Sequence, residues 1–236
     1  MAKTAHLYRN TKETSIQIAV DITGKSNFIF DKTDNTFKSL FENKPHLNKS
    51  PWEIPTVESL SSSKDKQFIY VNSGIGFLDH MISALFKHAN WSIILECIGD
   101  TYIDDHHSCE DVGIALGDAL KIAIGEIRGI NRFGYAYAPL DEALSRAVLD
   151  FSGRPFHCIN LDFKREKIGE LSTEMLIHFL ESFALSSGVT LHVDTIKGSN
   201  DHHKAESAFK ALAVAFKMAL TPTGKDDVPS TKGVIF

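Results

Sequence analysis

Two stretches of this chain carry residues that could do chemistry: "DDHHSCEDVGIALGDAL" at 104–120 and "NDHHKAESAFKALAVAF" at 200–216. Each sets an acid before two adjacent histidines and a glutamate three residues after the second. An apolar run at helical spacing follows each time. On a helix, positions i and i+4, or i and i+3, share a face, while neighbours diverge by about 100°. His106 or His107 can therefore share an ion with Glu110, and His202 or His203 with Glu206, but two adjacent histidines cannot easily reach one ion. The spacing points to two ions, with each phrase contributing a histidine to both. Imidazole and carboxylate without thiolate suit Mn, Fe, Co or Zn.

The elements that must hold these residues repeat as well. "GFLDHMISALFKHAN" places Phe77, Met81, Ala84, Leu85 and Ala89 at helical spacing and carries His80; "LSTEMLIHFLESFALSSG" is a second such helix and carries His178. Ser172 or Thr173 is the expected cap of that second helix and Gly188 its terminator. After each helix come a strand and a loop, "WSIILECIG" and "VTLHVDTI", before the Asp-His-His start of another helix. The intervals from His80 to His106 and from His178 to His202 are nearly equal. A duplicated unit of sheet plus two helices accounts for this order. It brings the ligand set to His80, His106, His107, Glu110, His178, His202, His203 and Glu206, or three histidines and one carboxylate per ion. A lone copy reads as readily as solvated polar residues at a helix start; two copies with matched flanks argue against that. The same symmetry sets Glu181 aside as a solvated or locally paired carboxylate, because Ser83 occupies the matching position after His80. Cys109 is a spacer by the same test, since Ala205 matches it.

Asp105 and Asp201 are expected as N-caps, placing the histidines in the first turn, where the helix dipole disfavours imidazolium. Neutral imidazole is the form that ligates. Further strands are expected at "TSIQIAVDI", "FIYVN", "TYID", "NRFGYAYAPL", "EALSRAVLDF" and "FHCINLDF". Residues 31–67, rich in Lys, Asn, Ser and Thr, are expected as a polar surface insertion within a first repeat at 1–127; the second repeat spans 128–236.

With 236 residues, 43% hydrophobic and 23% charged, the chain has the composition of a globular protein that can bury a substantial core. A net charge of -5 argues against nucleic acid as a partner class. No apolar run approaches a membrane span, and the start lacks the apolar region of a signal peptide. Three cysteines outside any CxxC spacing fit reduced thiols and a cytoplasmic location. HExxH zinc sites are excluded because the glutamate here follows both histidines, and four-helix di-iron bundles do not suit so strand-rich a chain.

"GIGFLDHM", "DDHHSCEDVGIALG", "RFGYAYAPLDEALSRAVLDFSGRP", "EMLIHFLESFA", "NDHHKAESAFKALA" and "VPSTKGV" together resemble the imidazoleglycerol-phosphate dehydratase family, its fungal members above all. The resemblance implies an α+β fold of two halves, each a four-stranded sheet with two helices on one face, packed helix layer to helix layer. It implies a Mn-dependent hydro-lyase of histidine biosynthesis, with two Mn ions per active site and 24 subunits whose sites lie at interfaces. By motif, phosphate recognition falls to Arg132, Arg154, Lys210, Ser230 and Lys232, substrate contact to Asp141, and acid-base or metal-proximal work to Glu13. His80, Glu110, His178 and Glu206 are expected to serve the chemistry as well as to bind metal. Ala84 departs from members with a glutamine nearby, so a substrate contact there must be made differently. An imidazole held between two cations would ionise to imidazolate and push out a hydroxyl, which explains why a site for this ring would be duplicated. A binuclear phosphate-ester hydrolase and a non-catalytic metal-binding assembly are the alternative readings.

Overall fold

The computed structural model describes residues 3–25, 28 and 66–235. The expected insertion lies, apart from Lys66 and Gln67, outside the described residues. The first half opens with β1 (Thr4–Asn10) and β2 (Thr14–Asp21), an antiparallel hairpin, followed by β3 (Ile69–Asn72), α1 (Gly76–Ala89), β4 (Ser92–Gly99) and α2 (His106–Ile124). The second half repeats this as the hairpin β5 (Phe133–Leu140) and β6 (Ala143–Asp150), then β7 (Phe156–Asn160), α3 (Thr173–Ser187), β10 (Thr190–Lys197) and α4 (Asp201–Ala219). A two-residue pair, β8 (Lys167–Ile168) with β9 (Leu171–Ser172), is inserted before α3.

The two sheets run β1-β2-β4-β3 and β5-β6-β10-β7, one order used twice. In each, a parallel pair is bridged by a helix, β3-α1-β4 and β7-α3-β10, as a parallel crossover requires. The α+β class with duplicated halves is therefore as expected. α2 packs on α3, and α1 on α4, so each helix pair joins the two halves. Gly113 and Gly117 make the first contact close: a Cβ on Gly113 would stand 2.8 Å from the Phe179 carbonyl oxygen, and one on Gly117 would stand 2.7 Å from that of Phe183. α4 offers an alanine face, with Ala208, Ala211, Ala215 and Ala219 buried. No described helix is long and apolar enough to cross a membrane.

Three local expectations need correction. "TYID" is a turn, closed by the Ile103 N–H donating to the Asp100 carbonyl at 2.8 Å, with Tyr102 88% exposed. Its β-branched and aromatic residues suit a strand, but they find no partner strand to pair with. Asp105 occupies the N-cap position of α2, yet its carboxylate accepts from Ser172 N–H and hydroxyl at 2.5 and 3.1 Å; the cap bond to His106 N–H at 2.9 Å comes from Asp104. Asp201 lies inside the first turn of α4, and Asn200 caps it by accepting from His202 N–H at 2.9 Å. Ser172 holds the N-cap position of α3 with no side-chain cap bond, and Gly188 ends that helix with a left-handed backbone, φ 74°.

Candidate active site

The first histidine of each phrase meets its own glutamate at i+4 and the helix histidine of the other half. His202 and His80 bring Nε2 to within 3.3 and 3.1 Å of Glu206 Oε2. His106 and His178 bring Nε2 to 3.8 and 3.7 Å from the two oxygens of Glu110. Each trio holds its ligating atoms within 4.8 Å of one another. The crossing follows from the packing: α1 lies on α4 and α2 on α3, so His80 serves the second phrase and His178 the first.

The second histidine of each phrase turns away, as adjacency on a helix demands. His107 Nδ1 lies 3.0 Å from Asp100, and its Nε2 lies 3.6 Å from Glu13. His203 Nδ1 lies 2.7 Å from Glu142, and its Nε2 lies 3.9 Å from Asp141. In both cases one acid binds Nδ1 and a hairpin-turn carboxylate faces Nε2. The hydrogen bond to Asp100 raises the pKa of His107, and that to Glu142 raises the pKa of His203. Glu142 falls to about 2, through His203 first and then the Asn200 N–H. The β1–β2 turn bearing Glu13 is tied to α2 by Asp111, which accepts from Arg9 at 2.6 Å and from the Thr14 hydroxyl at 2.5 Å.

The donor sets fit a divalent transition ion: two imidazoles and one carboxylate at each position, with ligand positions left for others. His178 Nε2 is buried without a hydrogen-bond partner, aimed at Glu110, as a lone pair kept for a metal would be. At Glu206, burial opposes ionisation, but the Lys210 ammonium at 2.7 Å and His80 outweigh it and hold the pKa low. A cavity of about 490 Å³ opens beside this trio, lined by His80, Ser83, Ala84, Lys87, His88 and Glu206 among others. Ala84 thus faces open space next to two candidate ligands.

The expected phosphate residues divide. Lys210 lies with the Glu206 trio. Arg132 is at the opposite end of α4, its N–H bonded to the Ala219 carbonyl, and the helix between spans roughly 28 Å. Its guanidinium forks onto Asp150 at 2.6 and 3.0 Å and donates to the Pro229 carbonyl at 2.8 Å, anchoring the tail that carries Ser230 and Lys232. Arg154 follows Gly153, which lies against Gly188 at the far end of α3. The chain therefore has a histidine pole and a basic pole at opposite ends of its helix layer.

Asp100, Glu142, Asp104 and His157 contact the site's helices or histidines, but residue type and spacing do not mark them as site residues in the sequence. Asp100 and Glu142 lie in turns, and the residue matching Asp100 before the second phrase is Ile196, so the repeat gave no signal for it. His157 lies 3.3 Å from Glu181, which makes that carboxylate locally paired, as expected. Cys109 and Ala205 are both fully buried, in keeping with a spacer role.

The imidazoleglycerol-phosphate dehydratase family model matches residues 73–216, which includes both trios. The chain belongs to the imidazoleglycerol-phosphate dehydratase family. A relative of that name from Candida glabrata is 55% identical over 231 residues, covering 98% of this chain and 99% of its own. One from Candida albicans is 54% identical over 235 residues, covering 100% and 99%. Among solved structures, the Staphylococcus aureus imidazoleglycerol-phosphate dehydratase aligns with a TM-score of 0.69 at 29% identity, over 93% of this chain and 99% of its own. The Pyrococcus furiosus enzyme aligns with a TM-score of 0.70 at 27% identity, over 97% and 100%. The dehydratase, a hydro-lyase of histidine biosynthesis, is the activity read from the motifs, and the family agrees with it.

Proposed function

We propose that this chain removes water from imidazole-glycerol phosphate to give imidazole-acetol phosphate, using two Mn ions per active site in an assembly of 24 cytoplasmic subunits. The observation that carries this reading is the pair of trios, each taking its histidines from both halves. His80, His202 and Glu206 would hold one ion, and His106, His178 and Glu110 the other. When bound, the ions supply the positive charge that lets an imidazole ring ionise and a hydroxyl depart. His107 and His203 project from their own trios beside turn carboxylates, so they suit ions held mainly by a neighbouring subunit. Glu13 and Asp141 face these histidines with exposed carboxylates. Glu13 is the group that takes and returns a proton, and Asp141 orients the glycerol chain.

The substrate's dianionic phosphate calls for cations and donors. Arg154, Ser230 and Lys232 supply them from the basic pole, while Arg132 fixes the tail that presents the last two. Lys210 adds charge beside Glu206. Because the poles of one protomer are separated by the length of α4, a complete site draws its phosphate pocket from another subunit. Buried free thiols at Cys97 and Cys109 are in keeping with the cytoplasmic location.

The test is to strip metal with a chelator and follow imidazole-acetol phosphate formation before and after adding Mn. Loss and recovery of dehydration, with no inorganic phosphate released, is expected. Activity indifferent to chelation would sink the two-ion reading, and phosphate release would make the chain a hydrolase.

A further inference from the structure

The repeat relates the two trios, but their surroundings differ in sign of charge. Four residues after Glu206 stands Lys210, whose ammonium lies 2.7 Å from Glu206 Oε1. Four residues after Glu110 stands Ile114, and among the described residues Glu110 pairs only with His106 and His178. Behind the helix histidines the contrast runs the other way. Glu181 places Oε2 3.6 Å from His178 Nδ1, while its Oε1 lies 3.3 Å from Nδ1 of His157 on β7. Ser83 stands at the matching place behind His80. The first trio thus has an added carboxylate and no competing cation; the second has an added cation and no such carboxylate.

From this we infer that the two metal positions are unequal: the His106–Glu110–His178 position binds its ion more tightly and fills first. Glu181 is the positioning residue responsible, braced by His157. The inference rests on the two-ion reading above and adds an order of filling to it. At 3.6 Å Glu181 is beyond hydrogen-bond reach of His178 Nδ1, but its charge beside that nitrogen favours the tautomer with the proton on Nδ1 and the Nε2 lone pair open to the ion, and it raises ligand basicity. The unpartnered Nε2 of His178 is already so aimed. At the second trio the Lys210 ammonium competes for one oxygen of Glu206 and repels an incoming divalent cation.

The experiment titrates chelator-stripped full-length protein with Mn²⁺, reading free ion by its EPR signal. Two ions per chain are expected in two resolved steps. Glu181→Gln, nearly isosteric, removes the carboxylate charge, weakens the first step several-fold and leaves the second in place. Ser83→Glu, set in the open cavity beside His80, and Lys210→Met each tighten the second step. Two ions bound in a single step, or a Glu181→Gln protein with its first step unmoved, overturns the inference while leaving the two-ion reading intact. Should Glu181→Gln fail to fold, a second step that Ser83→Glu and Lys210→Met leave unmoved overturns it equally. No binding at all overturns the two-ion reading and this inference with it.

Discussion

At the scale of the residue, adjacency decides roles. His106 and His107 are neighbours in sequence, yet one faces Glu110 and the other Asp100 and Glu13. That divergence was legible, because it follows from 3.6 residues per turn. The acids that receive His107 and His203 were not, because a turn residue's neighbours are set by tertiary packing and no period marks them. The hydrogen bond that His203 Nδ1 donates to Glu142, aided by the charges of Glu142, Asp141 and Glu206, favours the imidazolium form of His203. In metal-free protein His203 should therefore keep its proton to higher pH than an ordinary histidine. Whatever stability this pair contributes is present below the unfolded pKa and is lost as pH rises through the raised one. Glu142→Gln should bring the midpoint down, read by NMR of ring-labelled histidine; an unchanged midpoint would show that the pair does not form in solution.

At the scale of the element, the helix starts and the duplicated order were readable from period and punctuation. The closeness of α2 to α3 was not. Gly113 and Gly117, written four apart in "VGIALG", give no local sign of which helix they admit, since that depends on a face brought in from the other half. At Gly117 a Cβ would meet the Phe183 carbonyl oxygen at 2.7 Å and the Ser187 nitrogen at 2.9 Å, backbone atoms that cannot swing aside. Gly117→Ala should cost about 1–3 kcal/mol, seen as a lower denaturation midpoint. It should also weaken metal binding at the trio containing His178, which rides on the displaced helix. A variant as stable as the parent would mean that the two helices separate freely.

At the scale of the whole molecule, the separation of poles was invisible to motif reading. "NRFG", "SGRP" and "PSTKG" are recognisable phrases, but nothing in them says that Arg132 lies at the opposite end of α4 from His202. The fold puts them there because β5 begins where α4 ends, the Arg132 N–H meeting the Ala219 carbonyl. A chain carrying His178→Ala and a chain carrying Lys232→Ala should each be nearly inactive alone. Dissociated and reassembled together they should recover activity, about one quarter of normal if each site draws its two poles from two chains at random. No recovery would place both poles of a site in one chain.

The crossed trios also bear on folding. Neither half contains a full set of ligands: the first has Glu110 but lacks His178, and the second has Glu206 but lacks His80. An ion seated in either trio is therefore a clasp between the halves, and its binding free energy adds to the cohesion of the helix layer in proportion to the logarithm of ion concentration. If both trios hold ions, metal supply would govern how firmly the two repeats stay joined, apart from any turnover.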